Sequence, residues 1–135
     1  MSDSNPARAA AARDAVVLFG HGARDPQWAG PMQRIRERML MAADAPRVEL
    51  AFLELMTPTL GAAIDALAAD GVRRIVVVPV FLAQGGHLKR DVPALVEAAG
   101  TAHPECRIEL VQAVGEADTV IAAIAAYAEA CRTAD

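Results

Sequence analysis

Residues 75–78 read Ile-Val-Val-Val, a β-branched run with no polar alternation. A run of this kind suits a strand covered on both faces, and such strands belong to parallel sheets. Parallel neighbours cannot be joined by a tight hairpin, so each strand must be followed by a crossover, usually a helix. The rest of the chain meets that demand. Residues 15–19 (AVVLF), 47–53 (RVELAFL), 74–81 (RIVVVPVF) and 107–112 (RIELVQ) read as strands, and an amphipathic stretch follows each one. Trp28, Met32, Ile35 and Met39 recur at helical spacing, with the helix starting near Gly30 because Pro31 is a poor interior residue. Thr57 as N-cap and Pro58 behind it open a helix carrying Leu60, Ile64 and Leu67, stopped by Gly71. Asp91 as N-cap and Pro93 in the first turn open a third, with Leu95 and Val96 inward and Gly100 at its end. A last helix from about Glu116 sets Val120, Ile124, Tyr127 and Cys131 along one face. The order βαβαβαβα predicts an α/β, flavodoxin-like three-layer sandwich: a four-stranded parallel sheet, strand order 2-1-3-4, with helices on both faces.

The 135 residues suffice for one core, and we expect a single domain over 14–135 behind a disordered N-terminal tail over 1–13. That tail has no apolar stretch of the secretory kind, and no run approaches the roughly 18 apolar residues that cross a bilayer. Cys106 and Cys131 form no CxxC pair, which favours a reducing cytoplasm and ordinary apolar roles. A net charge of −4 argues against a general nucleic-acid surface. The cations that matter are locally placed. Arg24, Lys89 (the only lysine) and Arg90 all fall in strand-to-helix segments.

Those segments carry the chemistry. A parallel sheet puts every strand-to-helix loop on one edge, where ligands bind in open α/β folds. In the order 2-1-3-4 the loops after strands 1 and 3 flank a switch point. His21 follows strand 1, Glu54 follows strand 2, and His87 lies in the loop after strand 3. Two imidazoles and a carboxylate suit a borderline dication such as cobalt, nickel, iron or zinc, and can also accept protons near neutral pH. Gly22, Gly85 and Gly86 beside the histidines let a ligand approach the backbone. Arg24, Lys89 and Arg90, the last two near a helix N-terminus, suit a ligand with several carboxylates. His103, ahead of Pro104, reads as a solvated loop residue.

With these residues in view, the chain resembles the small class II tetrapyrrole chelatases, the sirohydrochlorin chelatase group. The resemblance rests on Phe19-Gly20-His21-Gly22-Ala23-Arg24-Asp25, on Phe52-Leu53-Glu54-Leu55 with Pro58, and on Pro79-Val80-Phe81-Leu82 through Gly86-His87 to Asp91-Val92-Pro93. It extends over roughly residues 15–130, with Ala23 where the family usually has Ser. It implies a chelatase-like form of the fold and ATP-independent insertion of Co2+, Fe2+ or Ni2+ into sirohydrochlorin. It further implies that His21 and His87 bind the incoming metal beside Glu54, and that a second copy completes the cleft as a homodimer. The metal is substrate rather than resident cofactor, and no nucleotide is expected, since nothing resembles a P-loop. Neither nucleic acid nor membrane is expected as a partner. Three other readings use the same residues. They are a metal-delivery module without catalysis, a histidine phosphatase (disfavoured because Gly20 stands where Arg would precede the histidine), and an FMN-binding domain.

Overall fold

The computed structural model describes residues 13–134 together with Pro6. The expected tail over 1–13 therefore falls almost wholly outside the described residues. Four parallel strands, β1 (Asp14–Gly20), β2 (Arg47–Phe52), β3 (Arg74–Pro79) and β4 (Arg107–Leu110), form one sheet in the order β2-β1-β3-β4. This is the expected topology. Four helices connect and follow them: α1 (Gly30–Leu40), α2 (Leu60–Ala69), α3 (Gly86–Ala102) and α4 (Asp118–Thr133).

Alternation along the strands sorts their side chains into two cores. On one face Ala15, Val17, Phe19, Ala51, Ile75 and Val77 pack against α2 (Leu60, Ile64, Leu67) and α3 (Val92, Val96, Ala99). On the other, Leu18, Val48 and Phe52 pack against Ala29 and Met32 at the start of α1. Burial of this apolar area is the main term favouring the fold. Arg36 reaches from α1 to the β2 edge, its Nε donating to the Val48 carbonyl at 2.6 Å.

Several boundaries differ from expectation, each for a local reason. As expected, α1 starts at Gly30, behind a 3-10 turn (Pro26–Ala29) whose N-cap Asp25 accepts from the Gln27 N–H. Thr57 does not cap α2. The chain after β2 folds back so that the Phe52 N–H donates to the Pro58 carbonyl, and Thr59 becomes the N-cap, accepting from the Ala62 N–H at 3.2 Å. Asp91 does not cap α3 either. That helix begins at Gly86, behind Gly85, with Pro93 in its interior and Gly100 inside its last turns. Proline in a helix costs one hydrogen bond, here the one the Lys89 carbonyl would accept, and α3 carries that loss within a packed helix. The largest departure is α4. It starts at Asp118, after a 3-10 turn (Val114–Glu116), and none of its residues is buried. Leu95 on α3, expected inward, is 42% exposed, while Val96 is buried.

Candidate active site

All four strands end at one edge, and the ladder continues beyond them. The Leu53 N–H donates to the Gly20 carbonyl at 2.9 Å, the Glu54 N–H to the His21 carbonyl at 3.0 Å, and the Val80 N–H to the Phe19 carbonyl at 2.8 Å. The loops after β1, β2 and β3 are thereby tied together by backbone. Gly22 sits in this weave at φ +91°, where a Cβ would lie 1.8 Å from the Glu54 carbonyl oxygen. No side chain fits there, so its glycine is a steric requirement of the site. Leu55 takes φ 66° directly after Glu54, which turns the β2 loop outward and leaves the leucine exposed.

His21 is half-buried, and its ring lies 4.5 Å, centroid to centroid, from that of Phe81 in the β3 loop. Phe81 in turn meets the buried Phe19 edge-on at 5.9 Å. The histidine thus leans on a rigid aromatic support drawn from the neighbouring strand's loop. Beyond Phe81 the β4 loop closes in. The Gly115 N–H donates to the Phe81 carbonyl at 3.0 Å, and a Cβ on Gly115 would strike the Leu82 carbonyl oxygen at 1.8 Å. Phe81 and Gly115 were not legible as site residues. The aromatic reads as strand core, and the glycine lies in a short turn with no chemistry of its own.

His21 and Glu54 are joined by backbone, and His21 is joined to the β3 loop through Phe81. His87 stands apart from that expectation. It occupies the first turn of α3 rather than a loop, its side chain is 82% exposed, and its Nε2 lies 2.9 Å from an Asp91 carboxylate oxygen one turn later. Among the described residues no group of three or more His, Cys, Asp or Glu is gathered to hold a metal ion, so His21, Glu54 and His87 do not form a ready-made three-group centre. The physical reason is the early start of α3, which gives His87 an acidic i,i+4 partner on its own helix.

Glu54, Arg24, Lys89 and Arg90 are exposed, and among the described residues none makes an ion pair. Lys89 and Arg90 lie early in α3, close to Gly85 and Gly86 at its start, where a cation and free helical N–H groups together favour anions. Two large apolar residues protrude on the same edge, Leu55 at 59% and Leu82 at 71% exposed. A cavity of about 290 Å3, lined by Phe19, Phe52, Leu53, Thr59 and Leu95 among others, opens between the β2 loop and α3. An edge carrying imidazoles, a carboxylate, exposed cations and apolar shoulders offers metal-binding and proton-accepting groups beside a surface suited to an anionic, partly apolar ligand.

His103 departs from the solvated role expected of it. Its ring bridges Asp65 on α2 (Nε2 to Oδ1, 2.6 Å) and Glu105 (Nδ1 to Oε1, 3.3 Å), tying the end of α3 to α2. The hydrogen bond to Asp65, helped by that to Glu105 and opposed by desolvation, raises the imidazole pKa above its ordinary 6.5. Cys106 is buried, its thiol donating to the Val72 carbonyl, whereas Cys131 is exposed.

The family model described as CbiX matches residues 15–130. Among curated proteins, the sirohydrochlorin cobaltochelatase of Methanopyrus kandleri is 46% identical over 61% of this chain and 57% of its own length. That of Methanocaldococcus jannaschii is 39% identical over 62% of this chain and 58% of its own. These matches therefore span less than two thirds of the relatives' length. Among solved structures, a CbiX protein of Marinobacter aquaeolei described as a putative cobalamin biosynthesis protein superposes with a TM-score of 0.74 at 28% identity, covering 86% of this chain and 94% of that one. The sirohydrochlorin chelatase SirB of Bacillus subtilis in complex with cobalt gives 0.72 at 28% identity, over 87% of this chain and 50% of that one.

Proposed function

We propose that this chain, which belongs to the CbiX family, inserts a divalent cation into sirohydrochlorin without a nucleotide, with Co2+ as the leading substrate metal and Fe2+ or Ni2+ as alternatives. The observation that carries this reading is His21, braced on Phe81 at the switch point between the adjacent strands β1 and β3, facing the segment that leads to His87. The curated relatives named above are cobaltochelatases of sirohydrochlorin, which supports cobalt, while SirB has been solved both with cobalt and with Fe3+, which keeps iron as an alternative.

Metallation requires the cation to shed water, two pyrrole N–H protons to leave, and the ring nitrogens to turn their lone pairs toward the metal. His21 receives the partly dehydrated cation. His87, on an exposed first turn, swings from Asp91 to share it, and this motion assembles the centre only when metal and ring are present. Glu54, carried on the same backbone weave as His21 and exposed to solvent, accepts one pyrrole proton, passes it to water and then accepts the second, a contribution of about 10²–10⁴-fold in rate. Arg24, Lys89 and Arg90 hold the ring carboxylates, and Gly85 and Gly86, with open space beside them, let the ring approach the backbone, whereas Gly22 serves the close packing of the β1 and β2 loops. Leu55 and Leu82 press on the apolar ring face. Binding of the acid-bearing rim thus positions the reacting nitrogens.

One copy presents this edge as a single open wall, so the working unit is a homodimer whose second copy closes over the ring. Cysteine usage favours the cytoplasm, and no helix among the described residues is long and apolar enough to cross a membrane. The test is an absorbance assay of purified protein with sirohydrochlorin and cobalt, nickel or iron salts in turn. Protein-dependent loss of the free-base spectrum is expected, fastest with cobalt. Metal binding without spectral change would replace the enzyme by a metal-delivery module.

A further inference from the structure

The segment between β1 and α1 carries a large side chain that the chemistry above leaves unused. Trp28 is the only tryptophan of the chain, sits in the 3-10 turn Pro26–Ala29, and is 40% exposed. Its position is fixed from several sides. The Asp25 carboxylate accepts from the Gln27 N–H at 2.9 Å, and the Trp28 N–H donates to the Asp25 carbonyl at 3.0 Å, so hydrogen bonds close the turn. The indole meets the ring of Phe52 edge-on, with centroids 6.4 Å apart. Its six-membered ring reaches back over Gly20, the last residue of β1. A Cβ on Gly20 would lie 3.1 Å from Trp28 Cη2 and 2.6 Å from Met32 Sδ. The glycine ahead of His21 thus leaves room for the indole at the sheet edge. Met32 is buried beneath, while part of the indole stays open to solvent.

We propose that Trp28 is a substrate-binding residue: the open part of its indole stacks on the conjugated plane of the tetrapyrrole while His21 presents the cation. The role rests on the chelatase function proposed above and extends it to a residue outside the metal and carboxylate contacts. Continuity with the site favours the ring as occupant, because the indole lies against the residue next to His21. The order of side chains in the segment favours it too. His21, the exposed cation Arg24 and the aromatic Trp28 follow one another on one turn-closed stretch. They match a ligand that takes a metal at its centre, carries acids on its rim and is aromatic in its plane. Leu55 and Leu82, the other protruding residues of this edge, are aliphatic and supply contact area without preferring an aromatic plane. An indole adds offset stacking, favoured at centroid separations of about 4.5–7 Å. Held in this way, the ring has its tilt over His21 set from the β1 side. Trp28 then governs how tightly the ring is held, and leaves the metal chemistry to the histidines.

The test follows the single indole N–H of the isotopically labelled full chain by NMR while metal-free sirohydrochlorin is added. Nuclei above the face of an aromatic macrocycle are shielded by its ring current. The Trp28 indole signal is expected to move upfield as the ring saturates the protein, together with the amides of Gly85 and Gly86. Movement of those amides with the indole unmoved, or moved downfield as at a ring edge, overturns the stacking and leaves the chelatase reading in place. No movement of any signal overturns both. Steady-state kinetics give a second readout. Trp28→Leu should raise the KM for sirohydrochlorin by about 10-fold while kcat and the KM for cobalt change little, and Trp28→Phe should recover most of that loss. A fall in thermal stability without that split, or an unchanged KM for the ring in folded Trp28→Leu, overturns the proposal.

Discussion

Gly22 is held by both its backbone angle and its neighbour, since φ is +91° and the Glu54 carbonyl oxygen occupies the space a Cβ needs. Gly22→Ala should therefore cost about 2 kcal/mol or more in urea unfolding, the sum of left-handed strain and a displaced β2 loop. Metal insertion should fall further than stability does, because the same displacement moves Glu54 relative to His21. Phe81→Leu, a large-to-small change at a buried site, should cost about 1 kcal/mol while leaving the fold intact, yet reduce insertion further by loosening the His21 ring. Gly22 and the histidines of this edge were legible because few other residues do what they do, whereas Gly85 and Gly86 adopt ordinary backbone angles with open space around them. Phe81 was not legible, since an aromatic beside a buried strand looks the same whether it fills a core or steadies a catalytic ring. His103 makes a different prediction. Its raised pKa means that its bonds to Asp65 and Glu105 contribute stability fully present below 6.5 and lost as pH rises through the folded-state value. Melting temperature should thus fall across that window in the native protein, and His103→Asn should flatten the difference. Equal pH profiles for the two would refute the tie.

At the scale of elements, the strands were placed to within a residue or two: β1 and β3 are apolar runs ended by Gly20 and Pro79, and β2 and β4 are short segments that mix apolar and charged residues between helical stretches. Helix starts were harder. Thr57-Pro58 and Asp91 with Pro93 are both good local start signals, and the fold uses neither. The first loses because the Phe52–Pro58 hydrogen bond consumes that segment in a return past the β2 end. The second loses because α3 begins with the Gly pair, which places His87 within a helix and beside Asp91. Thr59, not Thr57, should then be the stability-bearing cap, so Thr59→Ala should cost about 1 kcal/mol by thermal or urea unfolding while Thr57→Ala costs a few tenths at most. Equal losses at the two positions would restore the sequence-based start.

For the molecule as a whole, alternation dictated a parallel sheet with right-handed crossovers, and the order β2-β1-β3-β4 matches the flavodoxin-like arrangement chosen among the few that these rules admit. The spacing of apolar residues on α4 was equally visible, but periodicity states that a face suits burial without stating against what. The same limit applies to the proposed metal site. Topology brings His21 and the His87 segment to neighbouring loops, whereas the final approach of the two imidazoles depends on rotamers, bound metal and ring. The central claim is that these two side chains together present the cation. It is tested most directly by measuring cobalt insertion into sirohydrochlorin, under saturating metal, for the native chain, His21→Ala and His87→Ala, each confirmed folded by circular dichroism. Each single variant should lose at least about 10²-fold in rate. Near-native turnover by folded His87→Ala would show that the exposed histidine on α3 takes no part, and the two-imidazole centre would have to be abandoned.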